Sequence, residues 1–349
     1  MSTRRIKKVL LISHEMSYTG APRSLLNMAK VLQKEKIKVS VWSLETGEFE
    51  REFAKEKIEV KVVSNISAIE LEVREYDVVI LNTFFTAGLV SRFQNITRTI
   101  LYIREAENIP KLERDCMLNM QDIHNAKEVI CVSEYAEKFI RNNCNPQKLS
   151  VIHNFVKDEY DGSLNLVKDG IIHYLISGTY EERKGYDIVL SAFLNMPEEL
   201  KKITCLHIVG RKPEWSKGYW EALEKKYDSR VIEHGEISDD NKRMELYRKM
   251  NVFIIASRDE SCSLVALEGA MLGKALIMSE NVGAQYLDVI KKGIYPTENS
   301  SLLCRKMCDL TSRRELLVRG MEMRRIYKKT STEKRYRKKL LEIINGGNY

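Results

Sequence analysis

The stretch Ser257–Ile277, SRDESCSLVALEGAMLGKALI, sets two glutamates, Glu260 and Glu268, on either side of seven small or apolar residues. An unpaired carboxylate buried among such residues costs several kcal/mol, so each needs either solvent or a partner. The run NVFIIAS just before reads as a strand, a helix begins near Leu264, and ALIMS reads as the next strand, with Gly273 capping the helix. Glu260 then lies in a loop after a strand and Glu268 in the early turns of a helix. On one continuous helix they would stand about 12 Å apart, too far for a coupled acid and base. A strand, loop and helix start also gathers free backbone N–H groups, those of Ser263 and Leu264 among them, where an anion or a sugar docks.

The same alternation extends outward. KKVLLIS, KVSVWSL, VKVV, DVVILNT, TILYI and EVICVS precede a polar stretch, and IHYLISG, TCLHIVG, VIEHG, NVFIIAS and ALIMS follow it. Amphipathic segments separate most of them, such as Pro22–Glu35 with Leu25, Met28, Ala29 and Leu32 at helical spacing. Strand–helix alternation with continuous apolar strands means parallel sheets covered on both faces. The expected fold is therefore α/β, two Rossmann-like parallel-sheet domains facing across a cleft. The polar stretch His153–Gly170 breaks the pattern, placing an N-terminal domain at 1–162 and a second at 163–328. A basic C-terminal helix at 329–349 offers Leu340, Leu341 and Ile344 to something apolar, with a return onto the first domain as one arrangement. Ligands are expected at the carboxyl ends of strands and between the domains.

At 349 residues, 44% hydrophobic and 30% charged, the chain is of ordinary globular composition. No apolar run spans a bilayer and the basic start lacks a signal-type apolar region, so a cytoplasmic protein is expected. Seven cysteines at scattered spacings, with no CxxC pair, read as reduced structural thiols. The net charge of +8 is concentrated in Arg305–Tyr349, where 14 basic residues face 5 acidic ones. That tail suits a solvated face or peripheral attraction to the anionic inner face of the plasma membrane. Nucleic acid is disfavoured, since no interleaved aromatics or nucleic-acid-binding signature accompany the charge.

Several motifs fail. GAMLGKA has the wrong spacing for a phosphate loop, and no GxGxxG follows the first strand. Neither HExxH nor DxD occurs, so no metal and no cofactor are expected.

Taken together, the residues resemble the family 4 retaining glycosyltransferases, which have the two-domain GT-B fold. DESCSLVALEGAMLGKALIMSENVG is similar to the family's Glu, seven residues, Glu element; SYTGAPRSLLNMAKVL to its first loop and helix; CVSE and VIHNFV to its end-of-first-domain markers; GTYEERKGYDIVLSAF to its basic motif. The resemblance implies a nucleotide diphosphate-sugar donor and a glycan or lipid-linked saccharide acceptor, in cell-surface polysaccharide synthesis. It gives Lys184 and the neighbouring Arg183 to the leaving phosphates, assisted by backbone groups near Gly20, with Gly178 in the same motif. Glu260 would hold the transferred sugar and Glu268 the ribose hydroxyls, while Ser263, Leu264 and Val265 line the donor pocket. Without a metal, such cations must absorb the charge that builds on the leaving diphosphate.

Two departures bear on mechanism. LYIREAENI puts Arg104 where many relatives carry a histidine, and arginine holds anions but is no base. His14, after the first strand, is the substitute by position. The basic motif has Gly178-Thr179 where the family often has Gly-Arg, and places Arg183 directly beside Lys184. A catalytically weak partner or scaffold subunit is the competing function, and a sugar-nucleotide epimerase a more distant one.

Overall fold

The computed structural model describes residues 6–68 and 70–346. The chain divides into two units, one holding the residues up to Asn154 together with those from Glu333 onward, the other running Phe155–Thr332. The sequence places these changes at 162 and 328.

The first unit is built on seven strands, β1 (Lys8–Ser13), β2 (Lys38–Ser43), β3 (Val60–Val62), β4 (Val78–Asn82), β5 (Arg98–Ile103), β6 (Glu128–Cys131) and β7 (Lys148–Val151). All pairs are parallel, in the order β3-β2-β1-β4-β5-β6-β7. Val9–Ile12, Val78–Leu81 and Ile100–Ile103 are almost wholly buried, the reason these strands read as unbroken apolar runs. β7, KLSV at a sheet edge, is half-exposed and has no such run, which is why the sequence did not show it. The helix Gly20–Lys34 buries Leu25, Met28, Ala29 and Leu32, as their spacing requires.

The last helix, Glu333–Ile344, belongs to this unit and buries Tyr336, Leu340, Ile343 and Ile344. Leu341 is only partly buried, because Ile343 takes the place expected for it in the apolar stripe. Glu333 pairs with Lys34 at 2.5 Å and Arg337 with Glu35 at 3.0 Å. Arg98 donates to the carbonyls of Ile343, at 2.7 Å, and Ile344, satisfying groups a helix end leaves open. Lys334, Arg335, Lys338 and Lys339 remain exposed.

The second unit has six parallel strands, β8 (Ile172–Ser177), β9 (Thr204–Val209), β10 (Val231–Glu233), β11 (Val252–Ile255), β12 (Ala275–Ser279) and β13 (Ile294–Tyr295), in the order β10-β9-β8-β11-β12-β13. Two residues long, β13 lay beyond any sequence pattern. Each sheet therefore reverses its winding once, between β1 and β4 in the first and between β8 and β11 in the second. At such a reversal the connections leave in opposite directions and open a crevice at the carboxyl ends of the strands.

Candidate active site

In the second unit, the reversal brings together the segments that leave β8 and β11. The first passes Gly178, turns at Glu182–Lys184 and enters the helix Tyr186–Leu194 at Gly185. Gly185 has φ +70°, and a Cβ on it would lie 2.2 Å from the Ala256 carbonyl oxygen. Only glycine permits that approach, which sets Lys184 against the chain leaving β11. The two segments are then stitched: the Arg258 N–H donates to the Arg183 carbonyl at 2.7 Å, and the Arg183 guanidinium to the Asp259 carbonyl at 2.9 Å. The Lys184 stem runs beside Gly178, its Cε 3.5 Å from where a Cβ would stand.

Glu260 is held by its backbone as well. Its N–H donates to the Asn281 carbonyl at 3.0 Å, and its carbonyl accepts from the Gly283 N–H at 2.7 Å. The carboxylate, only 13% exposed, bonds the Lys184 ammonium and lies 3.6 Å from Arg183. Burial pushes this carboxyl up, but the charges of Lys184 and Arg183, with hydrogen bonds from Lys184 and Ser257, outweigh it and hold the group below the usual carboxylate range. Burial likewise opposes the charge on Arg183, and Glu260, Glu181 and Asp259 more than restore it. The fold thus joins Arg183, Lys184 and Glu260 into one ionised cluster. Arg258, two residues before Glu260, bonds Asp187 at 2.8 Å and Glu298.

Glu268 sits in the helix Leu264–Met271 and accepts from Arg243 at 3.1 Å, with both side chains about one-eighth exposed at 13% and 12%. Arg243, on the helix Asp240–Lys249, was not visible as a site residue, because the contact joins helices 25 residues apart and no spacing rule reports it. Burial works against its charge, while Glu268, Tyr247 and Asp240 raise its pKa. Ser263 caps the Glu268 helix, its hydroxyl accepting from the Ala266 N–H at 3.2 Å. Leu264 and Val265 follow it, each partly exposed.

In the first unit, Gly20 opens its helix at an exposed position, and no side chain caps that helix start. Arg104 is engaged at the strand ends: it donates to Asn82 at 2.6 Å and Asn154 at 3.0 Å, and its guanidinium lies 4.2 Å from the Tyr102 ring centre. His14 instead meets Thr83, Nδ1 to Oγ1 at 3.0 Å, and stacks on Phe85. Burial lowers the His14 pKa, against Glu15 and Glu45. Thr83 is the residue the sequence could not flag. It is buried, β-branched, and has φ +86° and ψ 161°, a conformation nearly reserved for glycine and costing on the order of 1–3 kcal/mol. The next N–H, of Phe84, donates to Glu105 at 2.9 Å, as does that of Arg104 at 3.0 Å. Burial raises the Glu105 pKa against those two donors and the Arg104 charge. His14 and Thr83 follow β1 and β4, the two strands of the first sheet's reversal, and Glu105 follows the adjacent β5.

Among the described residues, no helix is long and apolar enough to cross a membrane. A comparison with curated protein sequences found no match. Similar solved structures include HepE from Anabaena in complex with UDP, at TM-score 0.82 and 16% identity over 97% of this chain and 99% of that one. A glycosyltransferase from Rickettsia africae gives TM-score 0.75 and 17% identity over 97% and 98%. WaaG, a glycosyltransferase involved in lipopolysaccharide biosynthesis, gives 0.72 and 16% over 97% and 100%. These likenesses establish the two-unit α/β fold. Two family models match the sequence itself, glycosyl transferases group 1 over residues 172–313 and glycosyl-transferase family 4 over residues 5–148. The chain belongs to the group 1, family 4 glycosyltransferases.

Proposed function

We propose that this glycosyltransferase is a retaining, metal-independent enzyme that moves a sugar from a nucleotide diphosphate donor to a glycan or lipid-linked saccharide, in cell-surface polysaccharide synthesis. The observation carrying this reading is the cluster of Arg183, Lys184 and Glu260 at the reversal of the second sheet. Two fixed cations and one carboxylate are what a departing diphosphate and a sugar ring require: the cations meet charge that grows as the bond breaks, and the carboxylate orders hydroxyls. Lys184 is neutralised by Glu260, and a diphosphate would draw it away. Glu268, kept in place by Arg243, would take the ribose hydroxyls, beside Ser263, Leu264 and Val265. UDP, bound by the HepE structure, is the first nucleotide to try.

Of the first-unit candidates, His14 suits the role usually given to histidine better than Arg104 does. It meets Thr83 at the strand ends, where the strained Thr83 backbone aims a hydroxyl at it. The exposed Lys334, Arg335, Lys338 and Lys339 would favour an acceptor held at an anionic membrane face. Incubating the protein with a panel of nucleotide sugars tests the function: release of nucleotide diphosphate from at least one donor is expected, and binding of none of them refutes it.

A further inference from the structure

Three side chains away from the donor residues converge on one face of the second sheet. β8 and β9 pair in a register that sets His173 opposite Cys205 and Leu175 opposite His207. Alternate residues of a strand share a face, so Cys205 and His207 project on the side of His173. Their donor atoms, one from each residue, all lie within 4.8 Å of one another. His173 Nδ1 is 2.8 Å from His207 Nε2, and the Cys205 thiol donates to the Arg230 carbonyl at 3.1 Å. Cys205 and His207 are buried and His173 is partly so. No sequence spacing reveals this group, because strand pairing alone brings residue 173 to 205 and 207.

The remaining nitrogens are already engaged. His173 Nε2 meets the Asp169 carboxylate at 2.9 Å, and His207 Nδ1 meets His234 Nε2 at 2.8 Å. For three neutral rings this fixes the protons. Asp169 can only accept, so His173 carries its hydrogen on Nε2 and presents a lone pair at Nδ1. His207 donates to it from Nε2, and His234 donates in turn to His207 Nδ1.

We propose that His173 Nδ1, His207 Nε2 and the Cys205 thiolate bind a divalent transition metal of the zinc class, leaving a fourth position for water. Imidazole with thiolate is the donor set such ions select over magnesium or calcium. Zinc bonds of about 2.0–2.3 Å in a tetrahedron put ligand atoms roughly 3.4–3.8 Å apart. The 2.8 Å contact between the rings opens by about half an ångström to meet that geometry. Asp169 on the far nitrogen of His173 is the carboxylate partner a metal-bound histidine commonly has, and His234 holds the far nitrogen of His207.

The protons balance. On binding, His207 moves its hydrogen to Nδ1 and donates it to His234 Nε2, while His234 carries its own hydrogen on Nδ1. The thiol gives up one proton to solvent, so each ion bound releases one proton. His173 is the second residue of β8, at the opposite end from Gly178 and Lys184. The ion would therefore fasten β8 to β9 rather than enter the transfer reaction, and the inference stands apart from the proposed function.

Cobalt(II) titrated into chelator-treated full-length protein tests it. A thiolate-to-cobalt charge-transfer band saturating at a single equivalent is expected, with zinc displacing the cobalt. Cys205→Ser should abolish the band. A Cys304→Ser/Cys308→Ser variant, which removes two thiols packed with Tyr174 and Leu206 on the other face of the sheet, should keep it. Asp169→Asn should weaken binding ten- to a hundredfold. A wild-type protein without the band, or a band undiminished in Cys205→Ser, overturns the proposal and leaves a hydrogen-bonded imidazole ladder only.

Discussion

If Lys184 serves the diphosphate and Glu260 the sugar, substitution of Lys184 should weaken nucleotide binding and substitution of its bonded partner Glu260 should not. Lys184→Ala deletes one charge-assisted hydrogen bond to phosphate, worth roughly 1.5–3 kcal/mol, or about ten- to a hundredfold in affinity. The lower half of that range is expected, since Lys184 is 21% exposed and Arg183 remains 3.6 Å from Glu260. Glu260→Gln removes the carboxylate that holds Lys184. The freed ammonium should bind UDP, or whichever diphosphate the wild type binds, equally well or up to about tenfold more tightly. Turnover of the donor sugar should nevertheless fall at least tenfold. Calorimetric titration of both variants, with donor turnover alongside, measures all of this. Equal weakening of diphosphate binding by the two substitutions would refute the division of roles.

Other outcomes follow from the same geometry. Gly185→Ala must place a Cβ 2.2 Å from the Ala256 carbonyl in a left-handed backbone conformation, so chemical denaturation should show a loss on the order of 2–4 kcal/mol, with diphosphate binding lost as well. Arg104→Ala leaves the Asn82 and Asn154 carbonyls without their donor and should cost about 1–3 kcal/mol of stability while changing diphosphate affinity less than threefold; an affinity loss as large as that of Lys184→Ala would make Arg104 a ligand contact. Lys274 is buried and its pKa is lowered from 10.5 to about 8, by burial first and by Lys168 second. Between those values the unfolded chain binds more protons, so this group makes stability rise with pH across the window and its penalty is complete below pH 8. Lys274→Met should therefore stabilise the protein by about 2 kcal/mol at pH 7, after losing the bond to the Arg248 carbonyl, and the gain should vanish in melting curves near pH 10.5.

Much of this architecture was legible because parallel strands covered on both faces write themselves as unbroken apolar runs. NVFIIAS and ALIMS gave β11 and β12, and with them a loop for Glu260 and a helix for Glu268. Edges were less legible: β7 is polar and β13 is two residues long. Pairings across the fold were not legible at all. Lys184 and Glu260 stand 76 residues apart, Arg243 reaches Glu268 between helices, and His173 meets Cys205 only through strand register. The strain at Thr83 is likewise silent, since threonine in DVVILNT looks like an ordinary strand residue until its φ is known. Sequence periodicity reports which face a residue occupies; it does not report what faces it.

A crystal structure of the protein with the nucleoside diphosphate that binds it tests the donor site directly. The diphosphate is expected within hydrogen-bond distance of Lys184 and Arg183, with the Lys184–Glu260 bond opened and a ribose hydroxyl on Glu268. A nucleotide bound elsewhere, with Lys184 still on Glu260, would contradict that expectation.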